Sequence, residues 1–278
     1  MLTQAFVDST KGFSTVASLR RVSSSIAPYA QAAILPDATS LAQLFLTESG
    51  LRSAFGGNAD LVIATLGGME GITQGFVSQH LSAYEAAIDG ASLILAHSVL
   101  DSAVYEYCRV TATARPADWE SLVEGRKVAM SSLKGSCYED LLEAKVAEFV
   151  KDFERESILK RADRLLAICQ PEATSSKGYK YSRERLQQLD DLRHSIVHGR
   201  SAYSRLPGID NDIYFLQATN YFFYNLVMTR YQLPIDSETL LRAAHVEKQE
   251  GAKPSSSSGR ESSAFQPLSS ESVSAEKM

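Results

Sequence analysis

Apolar side chains recur at three- and four-residue steps along most of this 278-residue chain. One such series, from about residue 76 to about residue 110, contains Leu81, Tyr84, Ile88, Ala91, Leu95 and Val99. The same spacing recurs in residues 142–153, 158–169 and 211–227. Because about 3.6 residues make one helical turn, this spacing places the apolar side chains on one face of an α-helix. The sequence therefore predicts an all-α fold, an up-and-down bundle of four to five long helices.

The chain divides into three parts by composition. Residues 1–75 are predicted to contain only one short capped helix, after Ser40. The apolar run 61–66 fits either a buried strand or a piece of helix, since so short a run has no decisive period. Glycines are frequent in this part, at positions 56, 57, 67, 68, 71 and 75. We therefore expect a loop-rich N-terminal extension in residues 1–75, the helical bundle in residues 76–246, and a disordered serine-rich tail in residues 247–278.

The last two long helices carry recognisable end signals. Ser182 fits an N-cap, and the helix that follows is predicted to end at His198, before Gly199. Asp210 or Asn211 is the expected cap of the next helix. A histidine at a helix C-terminus is also favoured for a simple electrostatic reason, because that end of the helix carries a partial negative charge.

Composition excludes several classes of protein. A formal net charge of −5 argues against a protein that coats nucleic acid over its whole surface. The three cysteines are far apart in the sequence, at Cys108, Cys137 and Cys169. There is no CxxC motif and no Cys/His cluster, so neither a disulfide framework nor a zinc site is expected. The N-terminus lacks a signal-peptide profile, and no uninterrupted apolar run approaches the roughly 20 residues of a membrane span. We therefore expect a cytoplasmic protein without a membrane partner.

A charged residue interrupts the apolar face of the helix that begins after Ser182. At about 100° per residue, this face carries Leu186, Leu189, Ile196 and Val197. Arg193 falls within the same face. A guanidinium against packed apolar surface needs an anionic partner or a water-filled cleft, because an unpaired buried charge is strongly unfavourable. Two interpretations stay open: an ion pair with a carboxylate of a neighbouring helix, or a functional cleft.

One segment of this helix resembles a short signature of the HEPN superfamily (higher eukaryotes and prokaryotes nucleotide-binding domains). The signature is Arg–polar–x–x–x–His, and the matching segment is Arg193-His194-Ser195-Ile196-Val197-His198-Gly199. In that family the motif lies on a late helix of a small bundle, and another helix follows it. The order of helices predicted here is similar, so the resemblance spans residues 76–246. His194 occupies the polar position, where asparagine is commoner.

Many proteins of this family are metal-independent ribonucleases, and the resemblance implies that activity here. It makes Arg193 and His198 the catalytic pair and gives His194 a supporting polar role. RNA carries its own nucleophile in the 2′-OH, so a histidine can accept the proton and a guanidinium can stabilise the charge that develops on the phosphate. One motif offers one histidine, whereas cleavage needs both a base and an acid. The resemblance therefore implies a homodimer, in which two motif helices meet across a shared cleft. No metal and no cofactor is expected, and an antitoxin or nucleotidyltransferase partner is left open.

A local excess of positive charge surrounds the motif. Residues 177–205 hold seven basic side chains, Lys177, Lys180, Arg183, Arg185, Arg193, Arg200 and Arg205, against the acidic Glu184, Asp190 and Asp191. Such a patch attracts phosphates, so Lys180, Arg185 and Arg200 are candidate RNA-binding residues. A solvated helix face explains the same charges equally simply. The aromatic run 221–224 fits core or dimer packing better than base stacking.

Two further interpretations of the motif compete with an enzyme that acts as a toxin or antiviral defence effector. In the first, the chain is a catalytically inactive HEPN-like module that dimerises or binds RNA, and the motif is structural. In the second, it is a helical adaptor unrelated to this family. The adaptor interpretation would follow if Arg193 were paired within its own bundle and remote from any cleft.

Overall fold

The computed structural model describes residues 1–47, 63–125, 137–169, 181–199, 205–233 and 239. Within these ranges the chain is helical and contains no β-strand, which confirms the all-α class. The α-helices, in chain order, are α1 (Leu2–Thr47), α2 (Gly68–Ala114), α3 (Glu120–Val123), α4 (Tyr138–Asp152), α5 (Ile158–Cys169), α6 (Arg183–Val197) and α7 (Ile209–Tyr231). Short 3-10 turns precede α3 and follow α4, at Pro116–Trp119 and Phe153–Arg155. All of them belong to one compact unit, Met1–Asp236, and a second unit comprises Ser237–Met278.

The N-terminal part differs from the sequence prediction. Instead of a loop-rich extension with one short helix after Ser40, residues 2–47 form a single helix, α1. Residues 63–65 are helical too, so a strand is excluded for that part of the run 61–66. The glycines at 56 and 57 and the serine-rich tail 247–278 lie outside the described residues. The proposed domain boundaries stay a prediction.

Helix α1 packs lengthwise against α2 in the opposite direction. A Cβ added to Gly12 would lie 2.6 Å from Cγ2 of Val99, so the backbone of α1 approaches α2 too closely for a side chain there. Eight residues further along α1, Arg20 Nη1 lies 3.0 Å from Oδ1 of Asp89, ten residues earlier on α2. The rising number on one helix and the falling number on the other define an antiparallel pair.

Helix α2 is the centre of the core. It begins earlier than predicted, at Gly68 rather than near residue 76, and α1, α4, α5, α6 and α7 all contact it. The hydroxyl of Tyr107 donates to Oδ1 of Asn220 on α7 at 2.8 Å, and Nδ2 of Asn220 donates to Ser9 Oγ on α1 at 3.0 Å. This buried chain of hydrogen bonds joins three helices, so it specifies how they align.

By length and composition alone, α2 is apolar enough to cross a membrane. However, 50% of its most apolar 18-residue window is buried inside the protein. A core helix meets the same criterion, because it is apolar on every side that other helices cover.

The ends of α6 follow the sequence signals. Ser182 is the N-cap, and its Oγ accepts from the backbone N–H of Arg185 at 3.2 Å. Gly199 has φ +74°, a left-handed conformation that suits glycine after a helix. The predicted cap of α7 is wrong, because this helix starts after Gly208, whose φ is +84°, rather than at Asp210 or Asn211. The left-handed turn at Gly208 brings residue 209 into the helix before either side chain can serve as a cap.

Candidate active site

Helix α6 runs antiparallel to α2 and presents a narrow buried face to it. Its Ile196 lies against Gly90 of α2, with Cγ2 3.2 Å from the position of a Cβ. Leu186 and Leu189 are fully covered, at 0% and 1% exposure. Val197 was predicted on this face but is 55% exposed. The buried stripe is therefore narrower than the sequence indicated, because α6 is covered mainly by α2 and only slightly by α5.

Arg193 lies at the edge of this stripe and forms an ion pair within its own helix. Its Nε and Nη2 donate to Oδ1 of Asp190, at 3.3 and 3.2 Å. One interpretation of the sequence was an ion pair with a carboxylate of a neighbouring helix. The partner is instead Asp190, three residues earlier on α6 itself. The Arg193 side chain keeps 33% of its surface exposed. The guanidinium therefore has a carboxylate partner and still reaches solvent.

His97 of α2 meets the same carboxylate from the buried side. Its Nε2 lies 3.2 Å from Oδ1 of Asp190, although the N–H does not align well enough for a hydrogen bond, and the side chain is 3% exposed. Contact with His97 is the main cause that lowers the pKa of Asp190; Arg193 also lowers it, and burial opposes both. Asp190 is thus held as a carboxylate between a buried ring and a half-buried guanidinium.

The guanidinium of Arg193 retains one open edge. Asp190 accepts from the Nε–Nη2 edge, and in the described part of the chain Nη1 donates no hydrogen bond. A guanidinium binds two oxygens side by side through such an edge, which is the geometry of phosphate recognition. The arrangement can therefore bind an anionic oxygen without giving up its internal ion pair.

Two further motif side chains lie together at the end of α6. His194 and His198 are both exposed, and their ring centroids are 4.2 Å apart with an interplanar angle of 59°. The backbone N–H of His198 donates to the carbonyl of His194 at 3.1 Å, so the final helical turn is intact. The two imidazoles thus form one exposed patch where the helix ends.

A single chain does not bring Arg193 and His198 together. Five helical residues separate their directions by about 140°. No contact between the two side chains occurs in the described residues, whereas each contacts another motif-helix residue, Asp190 and His194 respectively. The two side chains therefore do not form one ready-made site within a single chain.

The predicted basic patch is largely neutralised. Arg183 pairs with Asp163 at 2.9 Å, Arg185 with Asp212, and Arg205 with Glu85 and, at 3.0 Å, with Asp89. Together with Arg193, every described arginine of the patch has an acidic partner. Most of these carboxylates come from outside residues 177–205, so a count over that segment could not include them. Lys177, Lys180 and Arg200 lie outside the described residues, and their role stays a prediction.

Neither His97 nor Asp190 was predicted to be a site residue. Asp190 carried a local signal, because residues three apart on a helix are neighbours and an Asp–Arg pair at that spacing is favourable. His97 carried no such signal, since only the antiparallel packing of α2 on α6 brings it near Asp190.

The aromatic run 221–224 contributes to packing. Phe223 is fully buried and Tyr224 stacks on Phe6 at 4.1 Å, which favours the packing interpretation for both residues.

Comparison with protein-family models, with curated proteins and with solved structures finds no match to this chain.

Proposed function

We propose that this chain is a metal-independent endoribonuclease of HEPN type, cytoplasmic and active as a homodimer. One observation carries the proposal. Arg193 is anchored to Asp190 through Nε and Nη2, Nη1 donates to no acceptor among the described residues, and a third of the side chain is exposed, on the same helix that ends in the exposed His198. The open edge can bind a phosphate, whereas pairing of Arg193 within its own bundle is also what the adaptor interpretation expects, so the cleavage assay below decides between them.

The chemistry needs only a base, an acid and a cation. The 2′-oxygen of RNA attacks the adjacent phosphorus and passes its proton to an imidazole of His198. The open edge of Arg193 binds the non-bridging oxygens, where negative charge grows in the transition state. The bond from phosphorus to the 5′-oxygen then breaks, and the leaving oxygen takes a proton from a second imidazole. The products are a 2′,3′-cyclic phosphate and a free 5′-hydroxyl.

A homodimer supplies the second imidazole, and it also allows an arginine and a histidine that project in different directions from α6 to act on one phosphate. Because Arg193 and His198 project about 140° apart, one α6 helix cannot direct both at the same phosphate. Two α6 helices that meet at their C-terminal ends would bring the arginine of one chain near the histidine of the other. Val197, 55% exposed beside both residues, offers an apolar contact for that meeting.

The test is RNA cleavage in EDTA by the full chain and two histidine variants. His198→Ala should lose about 100- to 10,000-fold in rate, the usual contribution of a proton-transfer group. His80→Ala is the matched control, because His80 is an exposed histidine on α2, outside the motif, and its loss should leave the rate unchanged. End-group mapping should find 2′,3′-cyclic phosphates. Equal rates for His198→Ala and the wild type would refute the proposal.

A second function is favoured by a different observation. The chain of contacts from His97 through Asp190 to Arg193 gives the arginine a structural role, as expected of an inactive HEPN-like module that dimerises or binds RNA. That function predicts RNA binding or dimerisation with no cleavage, and a clear loss of stability in Arg193→Ala. Stability and cleavage measured on the same variant therefore separate the two functions.

A further inference from the structure

The paired imidazoles at the end of α6 lie close enough together to bind one small ligand. His194 and His198 are one helical turn apart on the sequence, and their ring centroids are separated by 4.2 Å. Both rings are exposed, so their nitrogens are accessible from solvent and can turn toward a shared ion. Two histidines at positions i and i+4 of a helix lie on one face, the spacing by which helical His-x-x-x-His segments bind zinc.

We propose that His194 and His198 together bind one divalent transition-metal ion such as Ni²⁺, Zn²⁺ or Cu²⁺. Imidazole nitrogen is a preferred ligand of these ions, with bonds of about 2.0–2.1 Å to zinc. Among the described residues no third His, Cys, Asp or Glu joins the pair, so water completes the coordination. The two-histidine site is therefore open and of moderate affinity, unlike a closed structural zinc site.

The end of the helix favours a cation at this position. The last carbonyl groups of a helix carry a partial negative charge, and His198 is the C-cap residue of α6. The nearest basic side chain of the same helix, Arg193, is already paired with Asp190. The i, i+4 spacing of the two histidines is visible in the sequence, whereas the close approach and the exposure of their rings come from the structure.

A bound ion would have a consequence for the proposed ribonuclease, and this step rests on that proposed function. A metal ion occupies the nitrogen lone pair that His198 needs in order to accept the 2′-OH proton. Zinc or nickel should therefore inhibit a cleavage reaction that needs no metal. Chelation should restore it.

The binding test is calorimetric titration of the untagged full chain with NiCl₂. Wild type and His80→Ala should bind one more Ni²⁺ per chain than His194→Ala and His198→Ala, or bind it at least about 10-fold more tightly. Mutation of a residue that only supports a metal ligand already lowers metal affinity by about 10-fold, so loss of a ligand should lower it at least as much. Mg²⁺ should not compete, because it prefers oxygen ligands. His194→Gln, with a side chain of similar size, should behave as His194→Ala does. Equal nickel affinity and stoichiometry in the wild type and both His194 variants would overturn the site.

The inhibition test uses the same protein and separates the two proposals. If the wild type does not cleave RNA in EDTA, the ribonuclease proposal fails, while the nickel titration still decides whether the metal site exists. If it does cleave, ZnCl₂ at concentrations that fill the site should reduce the rate at least about 10-fold, and EDTA should reverse the loss. Full activity with the site filled would overturn the claim that the ion occupies the catalytic nitrogen.

Discussion

Two arginine–aspartate pairs in this protein differ in reach and exposure. Arg161 of α5 is 4% exposed and crosses to α2, where its Nη2 donates to Oδ1 of Asp101 at 2.6 Å. It also donates to two backbone carbonyls, those of Asp101 at 3.3 Å and Glu156 at 3.0 Å, while its Nε has no partner among the described residues. Arg193 is a third exposed and pairs with Asp190 on its own helix.

The difference separates a structural arginine from an available one. Arg161 connects α5 to a residue of α2 that lies 60 positions earlier in the chain, and it donates to two backbone carbonyls in a partly buried environment. Arg193 holds no second helix directly, and an ion pair between residues three apart stabilises an isolated helix by only about 0.2–0.5 kcal/mol. A contribution to stability therefore explains the position of Arg161 but explains little of the position of Arg193 at the edge of an apolar face.

Arg161→Met should produce the largest loss of stability in this comparison. The carbonyls of Asp101 and Glu156 lose their donor, and the substitution should lower the free energy of unfolding by about 2–3 kcal/mol. Urea denaturation followed by circular dichroism measures the change. A loss no greater than that of Arg193→Met would show that the two pairs do not differ in the way described.

Asp190→Asn should affect cleavage more than stability. The amide is a poor partner for the guanidinium, so Arg193 loses its fixed orientation and RNA cleavage should fall about 10- to 100-fold. Asp191→Asn is the matched control, because this neighbouring carboxylate is exposed and accepts only from Gln187 in the described residues. The comparison of initial rates for the two variants tests the role of Asp190, and equal rates would argue against it.

The acid sensitivity of the same pair gives a smaller effect. Since the pKa of Asp190 is lowered in the folded protein, its carboxylate contributes stability above its ordinary pKa of about 3.9 and loses that contribution as the pH falls through the lower folded value. The stability advantage of the wild type over Asp190→Asn should therefore shrink as the pH falls below about 4. Thermal unfolding between about pH 5 and pH 3 measures it. An advantage that grows as the pH falls below about 4 would contradict the assigned direction.

Removal of an arginine from a solvent-accessible ion pair should have the smallest effect. Arg183 pairs with Asp163 through three short contacts, and the two side chains keep 56% and 40% of their surface exposed. Arg183→Met should leave the unfolding midpoint and the cleavage rate unchanged. A clear loss of cleavage in this variant would show that the basic patch binds RNA despite its acidic partners.

The sequence predicted α6 well because both of its ends have strong local signals. Ser182 accepts a hydrogen bond from a backbone N–H, and Gly199 adopts the left-handed conformation that closes the helix.

Helix α1 was not predicted, because its local sequence signals are weak. Its buried positions towards the C-terminal end include small side chains, such as Ala38 and Ala42, which give little periodic contrast. Pro36 within it would ordinarily end a helix, and packing against α2 overrides that preference.

The candidate site was only half predictable from the sequence. Helical phase placed Arg193 near an apolar face and His198 at a helix end, since both depend on neighbours along the chain. The role of His97 depends on the packing of α2 against α6, a long-range contact that local spacing does not encode. The acidic partners of Arg185 and Arg205 are non-local in the same way.

The most direct measurement compares folding and cleavage in Arg193→Met, with Arg183→Met as the control. RNA cleavage in EDTA and urea unfolding would be measured on the same preparations. We expect Arg193→Met to unfold within about 1 kcal/mol of the wild type yet to cleave at least about 100-fold more slowly, since the loss of one transition-state donor has an effect of that size. A folded Arg193→Met protein that cleaves RNA as fast as the wild type would contradict it.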